Sequence, residues 1–166
     1  KVNSSGFSLI NNDSLENLEG LNLTSVFGEY LYIKDNASLT NIDALETLFS
    51  VSTSTALEIK NNGVLLNVNG LKNLASVGKI LVQDNPMLQN IDGLSEITQL
   101  TTTSETRLLS IYNNLNLESI QGIRNISPTS IWNLVIYSNP KVSVCDLKNI
   151  CQYLATTRPR SILSNQ

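Results

Sequence analysis

Apolar residues return along this chain in columns measured from six asparagines: Asn12, Asn36, Asn62, Asn85, Asn114 and Asn139. Five and three residues before each lie Phe7/Leu9, Leu31/Ile33, Leu57/Ile59, Ile80/Val82, Leu109/Ile111 and Leu134/Ile136. Apolar positions alternating with variable ones predict strands with one buried face. Three residues after each marker come Leu15, Leu39, Leu65, Leu88, Leu117 and Val142. Further apolar columns follow at six (Leu18, Ile42, Val68, Ile91, Ile120) and nine (Leu21, Leu45, Leu71, Leu94, Ile123). On an α-helix each step of three turns about 300°, so such positions smear around the circumference instead of forming a stripe. Short strands joined by tight corners, with little or no helix, fit better.

The markers are separated by 24, 26, 23, 29 and 25 residues, and Asn165 begins a seventh turn after 26 more. A period in that range predicts a solenoid whose coils bury their apolar faces only by stacking. The expected architecture is mainly β: a right-handed β-helix solenoid of six to seven coils, one domain over residues 1–166. Its coils span 7–29, 30–56, 57–78, 79–107, 108–133 and 134–144, followed by a capping helix at 146–156 and a strand at 161–165. Eight residues after the markers stand Gly20, Ala44, Gly70, Gly93 and Gly122; the alanine implies a need for smallness more than for positive φ. Ser52–Ala56 and Thr101–Thr106 are extra residues, expected to bulge as loops.

Stacked corners would bury unpaired backbone groups. An inward asparagine amide supplies two donors and an acceptor, so the six markers are assigned to a structural ladder bonding their own and the neighbouring coil. Asparagine also tolerates the left-handed conformation a sharp corner demands. Asn17, Asn41, Asn67 and Asn90, continued by Ser119, suggest a second ladder. Asp146 caps the expected helix, with Leu147, Ile150, Cys151 and Leu154 sharing its apolar face. Cys145 and Cys151 would then lie on different helix faces. A partner cysteine beyond Gln166, burial as small apolar groups and a local bridge all stay open. The opening at Lys1, with no leader and no cap matching the C-terminal one, suggests a piece of a longer protein.

Charged residues are 15% of the chain and the net charge is −3, so no broad field attracts nucleic acid. Histidine is absent, removing the commonest general base and metal ligand. No apolar run reaches bilayer length. Nothing points to a catalytic constellation, a cofactor or a metal. The acid-rich column Glu19, Asp43, Asn69, Asp92 and Gln121 lacks the aspartate–glycine density of calcium-binding β-helices and reads as solvated corners. Sequons occur at Asn3, Asn12, Asn22, Asn36 and Asn125, but glycans on Asn12 or Asn36 would break the ladder.

The outward strand residues form the candidate site. One column holds Ser8, Tyr32, Glu58, Leu81, Ser110 and Val135; the other holds Ile10, Lys34, Lys60, Gln83, Tyr112 and Tyr137. Tyr32, Lys34, Lys60, Tyr112 and Tyr137 make an amphipathic surface suited to protein or glycan recognition. Tyrosine also simply favours strands, which is the competing explanation.

The segments "LYIKDNASLTNIDAL", "LEIKNNGVLLNVNGLKNLASVG" and "ILVQDNPMLQNIDGL" resemble receptor L-domain-type leucine-rich repeats. That family occurs in the insulin and epidermal growth factor receptors, and in secreted surface proteins of Bacteroidota and fungal cell walls. "VCDLKNICQYLA" is similar to the C-terminal cap of bacterial members, and the resemblance runs from about Phe7 to Asn165. Ordinary leucine-rich repeats place a leucine two residues after the asparagine; here it falls three after, as the L-domain β-helix would have it. The resemblance implies export to the cell surface and ligand recognition, and it carries no active site. The expected function is therefore a non-enzymatic, extracellular recognition or adhesion module binding a protein or glycan through its strand face. The alternative is a spacer that displays another domain. A polysaccharide-acting β-helix enzyme is the third reading, opposed by the missing histidine and the lack of clustered acids beside Arg or Lys.

Overall fold

The computed structural model describes residues 6–143 and 146–163. In chain order the strands are β1 (Gly6–Ile10), β2 (Ser25–Val26), β3 (Tyr30–Lys34), β4 (Ser50–Val51), β5 (Ala56–Lys60) and β6 (Ser76–Val77). They continue as β7 (Lys79–Gln83), β8 (Gln99–Leu100), β9 (Leu108–Tyr112), β10 (Asn133–Tyr137) and β11 (Arg160–Leu163). The protein is mainly β, with α1 (Lys148–Leu154) as the one α-helix among the described residues. Seven strands form a parallel sheet in the order β1-β3-β5-β7-β9-β10-β11, and β2–β4 and β6–β8 are two short parallel pairs.

Register follows the marker count. Leu31, Leu57, Ile80, Leu109 and Leu134 are aligned partners across five strands, as are Ile33, Ile59, Val82, Ile111 and Ile136. All ten are fully buried and pack with Leu39, Ile42, Leu45, Leu48 and their counterparts in one continuous core. In the first repeat Phe7, Leu9, Leu15 and Leu21 are only half-buried. Two boundaries move: Ala56 and Asn133, expected to close a repeat, instead open β5 and β10.

The marker asparagines form the expected row. Asn62 Nδ2 donates to Asn85 Oδ1 (3.1 Å), Ile33 O (3.0 Å) and Lys60 O (3.2 Å), while Asn62 Oδ1 accepts from Asn36 Nδ2 at 3.0 Å. Asn85 and Asn114 repeat this arrangement toward Asn114 and Asn139. Asn36, Asn62, Asn85, Asn114 and Asn139 are fully buried; Asn12, at the first rung, is exposed. The left-handed residue is not the marker but the one before it: Asn11, Asp35, Asn61, Asp84, Asn113 and Ser138 have φ between 51° and 58°. The chain reverses its handedness one step earlier so that the marker's amide can turn inward.

The second asparagine column is not a ladder. Oδ1 of Asn17, Asn41, Asn67 and Asn90, and Oγ of Ser119, each accept from the backbone N–H two residues on, within 2.9–3.3 Å. These bonds shape the entry to 3₁₀ turns at Asp43–Thr47, Asn69–Leu71, Asp92–Leu94 and Gln121–Ile123, which the reading of nearly helix-free corners lacked. A Cβ on Gly70, Gly93 or Gly122 would stand 1.9, 1.9 or 1.8 Å from a carbonyl oxygen of the preceding repeat. Close approach, not positive φ, requires glycine there.

The cap differs in detail. Helix α1 is shorter than 146–156, its N-cap is Leu147, and no side chain caps it. Leu147, Asn149, Ile150 and Tyr153 are buried, whereas Cys151 and Leu154 are exposed. The reason is polar: Asn149 Nδ2 donates to Ile123 O (2.7 Å) and Ile126 O (2.9 Å), and the Tyr153 hydroxyl reaches Trp132 O at 2.8 Å. These side chains turn the helix so that it serves the open carbonyls of the repeats beneath it. The exposed Cys151 thiol contradicts its assignment to the apolar face. Cys145, Asn165 and Asn3 lie outside the described residues, and β11 starts one residue earlier than expected.

Candidate functional site

On the sheet's outer face the strands bring two aromatic groups into register. Tyr112 pairs with Tyr137 across β9 and β10, and their rings stack with centroids 4.7 Å apart and planes 6° apart. Tyr30 and Tyr32, two residues apart on β3 and so on one face, stack at 4.7 Å and 23°. Lys34 Nζ lies 3.7 Å above the Tyr32 ring and 2.6 Å from Glu58 Oε2 on the next strand. That ion pair is largely shielded, its side chains 18% and 16% exposed. Burial chiefly pushes the Tyr112 hydroxyl above its ordinary pKa, with Tyr137, Asp84 and Glu58 adding electrostatically. The phenol is therefore neutral, a donor as well as an acceptor, at ordinary pH.

The five expected site residues divide. Lys60, Tyr112 and Tyr137 occupy one row across the sheet, with Gln83 between Lys60 and Tyr112. Lys34 lies in that row between Ile10 and Lys60 but is tied to Glu58, and Tyr32 stands in the adjacent row. Sequence reasoning missed Tyr30, whose even spacing from Asn36 already placed it outward. It also took Gln83 and Ser110 as outward-facing strand residues, yet they are only 6% and 3% exposed.

Elsewhere an open groove of about 600 Å³ follows the 3₁₀ turns, lined by Asn17, Asn41 and Asn69 with Glu19, Asp43 and Glu46. Glu46 is paired with Lys72 at 2.8 Å, and the column of Glu19, Asp43, Asn69, Asp92 and Gln121 is exposed. Among the described residues no three His, Cys, Asp or Glu side chains gather as metal ligands. Among them, too, no helix is long and apolar enough to cross a membrane. No family model, curated protein or solved structure matches the chain.

Proposed function

We propose that the chain is a receptor L-domain-like module: a right-handed β-helix solenoid, exported to the cell surface, that recognises a protein or glycan without catalysis. The observation that carries the reading is the outer face, where two tyrosine stacks lie on a rigid seven-stranded sheet. Aromatic residues bury much area for little entropy loss, and strands hold them in place before a ligand arrives. The repeat pattern and the amide row support the solenoid, because each repeat's polar corners are completed only by the next.

A spacer that displays another domain is the second reading, favoured by the Lys34–Glu58 pair, which satisfies part of the face internally. Glycan arrays and purified extracellular proteins separate the two. Saturable binding that disappears when Tyr112 and Tyr137 become Ala together, with the far-UV spectrum unchanged, supports recognition. Intact folding with no binding to either panel supports the spacer.

A further inference from the structure

We propose that Lys60, Gln83, Tyr112 and Tyr137 form a linear subsite for an acidic polysaccharide, one bearing uronate carboxylates. The proposal rests on the reading of the outer face as a recognition surface and names its ligand class.

Gln83 is the starting point. Its residue is 6% exposed, and its backbone carbonyl accepts from Asn85 Nδ2 at 2.9 Å and Asn61 N at 3.2 Å. Its side-chain amide has no hydrogen-bond partner among the described residues. Neither amide atom is among the buried polar atoms left without a partner, so the amide keeps contact with water and can offer a donor and an acceptor to a ligand. Its in-register neighbours are Lys60 and Tyr112.

Lys60 differs from Lys34 in having no ion-pair partner among the described residues. Lys79, at the start of β7 on the same face, is likewise unpaired. From β3 to β10 the outward strand residues thus carry Lys34, Lys60 and Lys79 against Glu58, on a chain whose net charge is −3. Besides Glu58, the acids Asp35 and Asp84 follow the row at the corner, where their carboxylates accept from Asn61 Nδ2 (2.8 Å) and Asn113 Nδ2 (3.1 Å). Positive charge collected on one face of an acidic chain favours an anionic ligand.

The tyrosines decide between glycan and protein. With Tyr112 and Tyr137 stacked 4.7 Å apart, each covers one face of the other, so edges and hydroxyls are what the row offers. A protein partner needs an anchor pocket for a buried side chain. The grooves of about 600 and 170 Å³ lie instead among corner residues. What the row presents is an ammonium, an amide and two hydroxyls at strand spacing, roughly 5 Å apart. Such even spacing of polar heads fits an extended polymer carrying hydroxyls and a carboxylate, lying across the strands.

The test measures binding of polygalacturonate and of its carboxyl-reduced, neutral counterpart, with melting curves for each variant. The intact protein should bind the acidic polymer preferentially, and the preference should fall as salt rises. Gln83→Met should weaken binding about tenfold, the scale of one strong polar contact, without lowering the melting temperature, because it removes an unbonded amide. Lys60→Met should erase the acidic preference, whereas Lys148→Gln, the same charge change on α1, should not. A drop in melting temperature for Gln83→Met would show the amide to be satisfied within the protein and would overturn the proposal. So would equal affinity for the two polymers, or a Gln83→Met variant that binds normally. Protein binding with no glycan binding would overturn the subsite and leave the recognition face standing; no ligand on either panel would remove both.

Discussion

At the Asn61 and Asn113 corners two neighbouring residues make polar contacts to an adjacent repeat, on opposite sides of the chain. Inward, Asn62 and Asn85 bond at 3.1 Å; outward, Asn61 and Asp35 bond at 2.8 Å, and Asn113 and Asp84 at 3.1 Å. The geometry is equally good, but Asn62 and Asn85 are fully buried whereas Asn61 and Asn113 are exposed. Breaking an inner bond strands groups that water cannot reach, while breaking an outer one exchanges protein for solvent. Bond length therefore says little about stability here; the location of the bond says most.

The inner side should be the more fragile wherever it is touched. The largest effect is expected from Gly93→Ala, whose new Cβ would stand 1.9 Å from Val68 O and force two repeats apart. Melting curves should show a loss of more than about 3 kcal/mol, the upper range for overpacking, or no cooperative unfolding. Asn85→Leu comes next. It removes the donor to Ile59 O, Gln83 O and Asn114 Oδ1, and should cost about 1–3 kcal/mol by chemical denaturation. The same change at exposed Asn12, whose amide reaches Ile10 O and Asn36 Oδ1, should stay within about 0.5 kcal/mol. Equal losses at Asn85 and Asn12 would mean that burial does not govern the row.

The inner side was also the legible side. A buried column admits few residue types, so Leu31 through Leu134 and the asparagine row stand out at a fixed count, and their register follows from it. Polar columns are ambiguous, because one residue type serves several geometries. Asn41 and Asn62 look alike in the sequence, yet one closes a local turn and the other bonds the next repeat. At the cap, apolar spacing favoured Cys151 and Leu154 as buried, but hydrogen-bonding demand selected Asn149 and Tyr153. On the candidate site, residue type could not show that Lys34 would be paired with Glu58 or that Gln83 would be only 6% exposed. Those facts depend on which side chains meet across the strands, which a column of letters does not record.

The outer side yields the smallest and most diagnostic effect. Asn61 combines two features that could explain its presence: a side-chain bond to Asp35 and a φ of 52°. Replacing it separates them. Asn61→Gly removes the bond but keeps the left-handed backbone accessible, so stability should change by no more than about 0.5 kcal/mol. Asn61→Ala removes the same bond and keeps a Cβ in the left-handed region without the polar side chain that lets asparagine tolerate it, a conformation that costs about 1–2 kcal/mol relative to glycine. Denaturant midpoints for the pair should therefore differ, with alanine the weaker. If both variants lose equally, the exposed bond itself carries the stability, and the contrast between the two sides of the corner is wrong. If alanine alone loses, the outer residues are there to set the backbone angle that turns each buried amide inward.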